Sequence, residues 1–309
     1  MMSTDPTKGN SNDAGMNASA HQSAPGQQGG KALPSLPSWA TDDIPLDRPN
    51  AARMYDYFLG GYHNFAIDRA AAEDMIKLAP EFPLLMQVNR AFLRRAVKFF
   101  VQQGIDQFLD IGSGIPTVGN VHEVAQQLNP AARVVYVDKE PVAVRHSQAI
   151  LRDTPNVTII EADACRPEEL VHDPEVRRML DFSKPIGVLI VALLHFVPED
   201  EVAYNLVRVL RDAVAPGSYI AISHGSTEEV SPDIVEQSEQ IYARTTDPLK
   251  LRSRAEIEAF FAGLDLVEPG LVYAALWRPE GPDDLFLDHP EGAPILVGVG
   301  QKRAPNEAR

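Results

Sequence analysis

A single cysteine, Cys165, stands in 309 residues. It has no partner for an intramolecular disulfide, and one thiolate cannot build a multi-cysteine metal site. Basic residues are also in short supply: 28 Lys and Arg against 43 Asp and Glu leave a net charge of −15. A nucleic-acid binder needs a positive footprint to displace counterions from phosphates. Arg94, Arg95 and Lys98 do cluster, but they read as the solvated face of a helix. No apolar run reaches the roughly 18 residues of a membrane-spanning helix, and no basic stretch with an apolar core marks a secretory leader. The expectation is a cytoplasmic protein that uses no metal, membrane or nucleic acid, and whose substrate is a small molecule.

What is present is enough apolar side chain, 44% of the residues, for a sizeable core. Residues 1–40 are an exception. They are rich in Gly, Ser, Asn, Gln and Pro, bury too little to offset ordering entropy, and read as a disordered tail. Residues 304–309 read as a frayed end. From Ala51 to Phe100 the pattern is helical, broken at Gly60-Gly61, Pro80 and Pro83, so residues 41–104 read as a helical cover.

Residues 105–303 then alternate short apolar strands with helices. Strands are expected at Phe108 to Ile111, Val134 to Val137, Val157 to Ile160, Ile186 to Val191 and Tyr219 to Ile222. The first four end near Asp110, Asp138, Asp163 and Val191, at intervals of 28, 25 and 28 residues. That spacing suits right-handed crossovers between parallel strands, and the strands are apolar enough to be buried on both faces. Ser253 and Glu256 form a capping box for a further helix. Two last strands, Leu271 to Trp277 and Ile295 to Val299, follow with no helix between them and so pair antiparallel. The expected fold is α/β: a Rossmann-like sheet of five parallel strands plus a terminal antiparallel pair, as in class I methyltransferases.

The chemistry gathers at the carboxyl ends of those strands, where open α/β sheets bind ligands. After the first strand comes Asp110-Ile111-Gly112-Ser113-Gly114. Glycines 112 and 114 allow a tight turn and close backbone approach. A dinucleotide loop would carry a third glycine at position 117, where this chain has Thr. The leading acid, Asp110, would repel a pyrophosphate but suits a cation such as the amino or sulfonium group of S-adenosylmethionine. Asp138, ending the second strand, suits the hydroxyls of a ribose; its bland alternative is a cap for the helix at Pro141. Asp163 and Ala164, ending the third, suit an adenine amino group and ring, or a plain helix cap. Ala192 and His195 follow the fourth strand; Ala192 is read as a cofactor contact, His195 as a possible base or as a structural or cofactor-contact histidine. His224 and His63 are weaker candidates of the same kind. The aromatic segment from Arg53 to Phe65 contributes Tyr55, Tyr57 and Asn64 as cover or substrate residues, with Asn89 and Arg90 behind it; core packing is the alternative. Arg53 or Arg90 would clamp a cofactor carboxylate.

Several stretches resemble an actinobacterial family of S-adenosylmethionine-dependent methyltransferases long known only as a domain of unknown function. They are Ala52 to Tyr57 and on through Asn64-Phe65, Asn89 to Phe92, Phe108 to Thr117, Asn120 to Ala125, Val134 to Asp138, His195 to Pro198 and Pro216 to Tyr219. The resemblance implies S-adenosylmethionine as cofactor, held by Asp110, Gly112, Gly114, Asp138 and Asp163, and leaves the methyl acceptor open. Two rivals stand beside it: an NAD(P)-dependent oxidoreductase, and a non-catalytic regulator that binds S-adenosylmethionine.

Overall fold

The computed structural model describes residues 46–116 and 119–303. The expected tail, cover residues 41–45, Thr117 and residues 304–309 lie outside the described residues. Five parallel strands, β1 (Gln107–Ile111), β2 (Arg133–Asp138), β3 (Val157–Glu161), β4 (Gly187–Val191) and β5 (Tyr219–Gly225), lie in the order β3-β2-β1-β4-β5. The two-residue strands β6 (Asp265–Leu266) and β7 (Val272–Tyr273) and the long β8 (Ile295–Gln301) complete the sheet, with β8 antiparallel to β5, β6 and β7. Strand order reverses between β1 and β4, and the crevice beyond that point is where a ligand finds room.

The last pair of strands departs from expectation. Leu271 to Trp277 is not one strand: only Val272 and Tyr273 join the ladder, and Ala274–Leu276 form a 3-10 turn. Trp277 is responsible. Its fully buried indole packs edge-on against Phe92 and Phe99, and Arg95 donates to the carbonyls of Trp277 and Ala274 at 2.8 and 2.7 Å. The chain turns inward to bury that ring. Arg95 is therefore a buried clamp, not part of a solvated basic face. The short strand β6 supplies a third antiparallel partner for β8, which the sequence pattern does not announce.

Strand alternation divides the sheet's side chains between two cores. Phe108, Val134, Tyr136, Leu189 and Ala221 face one way, under α3 (Phe82–Gln102), α4 (Val121–Leu128) and α5 (Pro141–Leu151). Leu109, Ile111, Val135, Val188, Ile190 and Ile220 face the other way, under α6 (Pro167–His172), α7 (Pro174–Met179) and α8 (Asp200–Ala213). Asp110 shares the face of Phe108, which turns it toward α3. Pro83 does not break α3; it sits in the first turn, where a missing N–H costs nothing. The rest of α3 buries Phe92, Ala96, Val97 and Phe100 against the sheet, so this helix of the expected cover belongs to the core.

A third apolar cluster joins α1 (Ala51–Phe58) and α2 (Ala66–Leu78) to α9 (Pro232–Tyr242), through Met54, Phe58, Ala72, Met75, Ile241 and Tyr242. The capping-box helix, α10 (Arg254–Ala259), follows α9. Among the described residues no helix is long and apolar enough to cross a membrane.

Candidate active site

The turn after β1 is built on two glycines that serve different ends. Gly112 (φ +69°) would place a Cβ 2.7 Å from Leu193 Cδ1, so its lack of side chain answers to packing as well as to backbone conformation. Gly114 (φ +67°) would meet nothing within 4 Å. Its bare Cα faces open space, as a cradle for a ligand requires. The N–H groups of Gly112 and Ser113 donate to Val137 O at 2.8 and 3.1 Å, which ties the turn to β2.

Asp138 completes that tie. Its Oδ2 accepts from Gly114 N at 2.7 Å and its Oδ1 from Glu140 N at 2.8 Å. The cap of α5 is Glu140, whose Oε2 accepts from Ala143 N at 2.9 Å, so Asp138 is not a helix cap. Burial raises the pKa of Asp138, and the two N–H bonds partly counter it. Asp110 is more strongly affected. Its carboxyl is pushed up to about 7 by burial, with Asp138 adding repulsion and Arg90 opposing both.

These residues line an open cleft whose empty space, counted out into solvent, is about 1080 Å³. The structure brings Asp110, Gly112, Gly114, Asp138, Asp163, Ala164 and Ala192 to it, with Tyr55, Asn89 and Arg90 from the helices above. Asp163 is exposed, and its Oδ1 accepts from Cys165 N at 2.9 Å. Ala192 holds a left-handed backbone (φ +57°), with its N–H bound to Ser223 Oγ at 2.8 Å. Three buried polar atoms in the lining have no hydrogen-bond partner among the described residues: Arg90 Nε, Ser113 Oγ and Asn89 Oδ1. Each such atom costs about 1–3 kcal/mol when left unpaired, which is what a site built to receive polar ligand groups would show. A cationic group fits beside Asp110, and a carboxylate beside Arg90.

Other expected residues lie elsewhere. Tyr57 turns away from the cleft to bond Glu73. Asn64 closes the Gly-Gly turn, donating to Asp56 Oδ2 and Gly61 O at 2.8 and 3.0 Å. Arg53 cannot clamp a cofactor: it is fully buried, pairing with Asp68 and Glu140 at 2.9 Å each. His63 lies against His146, ring centroids 3.7 Å apart and planes tilted by 36°.

A second cavity, about 880 Å³ counted out into solvent, adjoins the first and shares Ala51, Tyr55, Asn89, Ala192 and Phe196 with it. Met75, Phe82, Leu85, Met86, Tyr242 and Leu249 make most of its wall apolar. His195 lines it from a 3-10 turn, Leu194–Phe196. Its Nδ1 accepts from Gly225 N at 3.3 Å, so the neutral ring carries its hydrogen on Nε2. Burial, together with His224 and Arg252, holds its pKa well below the usual value. His224 spends both ring nitrogens, on Gly225 O at 2.7 Å and Arg252 Nη1 at 2.9 Å, and burial lowers its pKa to about 3. It is a structural residue.

Sequence reasoning missed four supports of the site. Arg252, fully buried, donates to Leu194 O and Val197 O at 2.9 and 2.8 Å and pairs with Asp200, so it holds the turn carrying His195. Asp247 receives Lys139 Nζ and Asn50 Nδ2 at 2.9 Å each, seating the start of α1 at the cleft rim. Lys139 and Glu140 adjoin Asp138 and were findable by position. Nothing local marks Arg252 or Asp247.

The profile of the S-adenosyl methyltransferase family matches residues 37–303. Among solved structures, a candidate methyltransferase of Thermobifida fusca YX is similar at 40% identity and a TM-score of 0.80, over 87% of this chain and 100% of that one. A DUF574 family protein from Streptomyces avermitilis MA-4680 is similar at 38% identity and a TM-score of 0.78, over 83% of this chain and 98% of that one. No curated protein matches. The glycine turn with its leading acid, the sheet with its antiparallel end and these likenesses agree: the chain belongs to the S-adenosyl methyltransferase family, with S-adenosylmethionine as cofactor, and the oxidoreductase reading is set aside.

Proposed function

We propose that this methyltransferase acts on a small, uncharged and largely apolar molecule lodged in the second cavity. The supporting observation is the lining: among the described residues around that cavity none is Asp, Glu, Lys or Arg, and the one histidine is held neutral. A charged acceptor would lose its hydration there with no counter-charge to replace it. The cavity joins the cofactor cleft at Tyr55, Asn89 and Ala192, so an acceptor filling it meets the cleft there.

On this reading Asp110 holds the amino group of the cofactor and Arg90 its carboxylate. Asp138 takes the ribose hydroxyls, Asp163 and Ala164 the adenine, and Gly112 and Gly114 let the backbone come close. The bound cofactor supplies a methyl group activated by its positive sulfur. The protein's contribution is then to orient the acceptor and exclude water, with His195 offering an Nε2–H donor in place of a base.

The test is methyl transfer from labelled S-adenosylmethionine to matched sets of neutral and charged acceptors. Transfer to neutral aromatic or alicyclic molecules is expected. Transfer confined to nucleic acids, proteins or charged metabolites would sink the proposal.

A further inference from the structure

Where the two cavities meet, the polar side chains lining both are Tyr55 and Asn89. The Tyr55 hydroxyl is engaged on both sides: it donates to Met86 O at 3.3 Å and accepts from Asn89 Nδ2 at 3.0 Å. A carbonyl can only accept, so the direction of this relay is set at its far end. Tyr55 gives its hydrogen to Met86 and must receive one from Asn89. The amide is thereby oriented with Nδ2 toward Tyr55, and Oδ1 is the atom left over. Asn89 is 98% buried, and Oδ1 has no partner among the described residues. The other two unpaired atoms of the cleft, on Arg90 and Ser113, belong to residues that do not line the apolar cavity.

We propose that Asn89 selects the nucleophile of the methyl acceptor: its Oδ1 takes a hydrogen bond from an O–H or N–H group, which turns a lone pair of that atom toward the methyl group. This rests on the reading of the two cavities given above. It narrows the acceptors to alcohols, phenols and primary or secondary amines, and disfavours thioethers and tertiary amines, which leave Oδ1 unpaired. In the transfer, the acceptor's lone pair forms the new bond to the methyl carbon, and the electron pair of the carbon–sulfur bond stays on sulfur. The acceptor's hydrogen, made acidic by that step, is lost to bulk solvent through the open cofactor cleft once the methyl group has moved. The amide only orients.

The test uses sinefungin, in which an amine-bearing carbon replaces the methylated sulfur, and S-adenosylhomocysteine, which has nothing there. Both are titrated calorimetrically into the full chain and its Asn89→Leu and Asn89→Asp variants. The wild type is expected to bind sinefungin at least fivefold more tightly than S-adenosylhomocysteine. Asn89→Leu should bring that ratio near one, with S-adenosylhomocysteine affinity changed less than twofold. Asn89→Asp, nearly isosteric and so a guard against misfolding, should raise the ratio at least fivefold. A wild type without preference, or a ratio unmoved in both variants, overturns the proposal. Failure of the wild type to bind either analogue overturns the cofactor reading itself, which is a different result from a loss confined to Asn89→Leu.

Discussion

Asp110, proposed above to hold the cofactor's amino group, shows how a buried acid in a cleft can weaken the fold that carries it. The folded protein holds a proton on this carboxyl up to about pH 7, whereas an unfolded carboxyl releases it near its model value of 3.8. Between those values the native state binds more protons, so the contribution of Asp110 to stability falls as pH rises and stays low above pH 7. Asp110→Asn should therefore stabilise the ligand-free protein at pH 8 by roughly 1–3 kcal/mol, and by little at pH 4. Urea unfolding at both pH values measures this. The same variant should bind S-adenosylhomocysteine at least tenfold more weakly, and wild-type affinity should fall as pH drops below 7. Equal stability gains at both pH values would contradict the assigned cause. The sequence displayed this residue, because an acid at the end of a buried strand before two glycines is a local pattern. It also displayed Asp138 and Gly114. It misplaced Tyr57 and Asn64, because density of aromatics around a turn does not say which way each side chain points.

At the scale of elements, the turn carrying His195 depends on a residue from a distant segment. Arg252 satisfies the carbonyls of Leu194 and Val197, the Nε2 of His224 and the carboxylate of Asp200. Arg252→Met keeps the bulk and removes every donor, leaving buried acceptors orphaned. A loss of about 2–4 kcal/mol in urea unfolding is expected, with a larger fall in activity than in cofactor affinity, since the turn faces the second cavity. A loss below about 0.5 kcal/mol, within the range of ordinary surface substitutions, would show that the turn stands without it. The expected strand ending at Trp277 fails for the same kind of reason: the burial of one indole and two bonds from Arg95 outweigh the propensity of the segment to extend.

For the whole molecule, the question is what seats α1 and α2 on the sheet domain. Arg53 reaches from α1 to Asp68 on α2 and to Glu140 beyond β2, and all three side chains are buried. The net value of such a pair is small, but removing one partner strands the others in a poor dielectric. Arg53→Ala is expected to cost about 3–5 kcal/mol and to make the α1–α2 region the first site of limited proteolysis. Cleavage unchanged from wild type would show that the apolar cluster with α9 seats these helices unaided. Lys139 and Asp247 make a second, more exposed tie at the cleft rim, and its contribution should shrink with added salt.

The sequence by itself determined the alternation of strands and helices, the parallel sheet and the acid-glycine turn. Each of these follows from periodicity, strand length or backbone freedom over a few consecutive residues. Tertiary structure alone decided which helix of the expected cover packs into the core, and that α9 and Asp247 complete the cavity walls. It also decided that Asn89 keeps one buried acceptor unpaired where the two cavities meet. Those outcomes rest on contacts between residues far apart in the chain, where local pattern carries no information about burial or orientation.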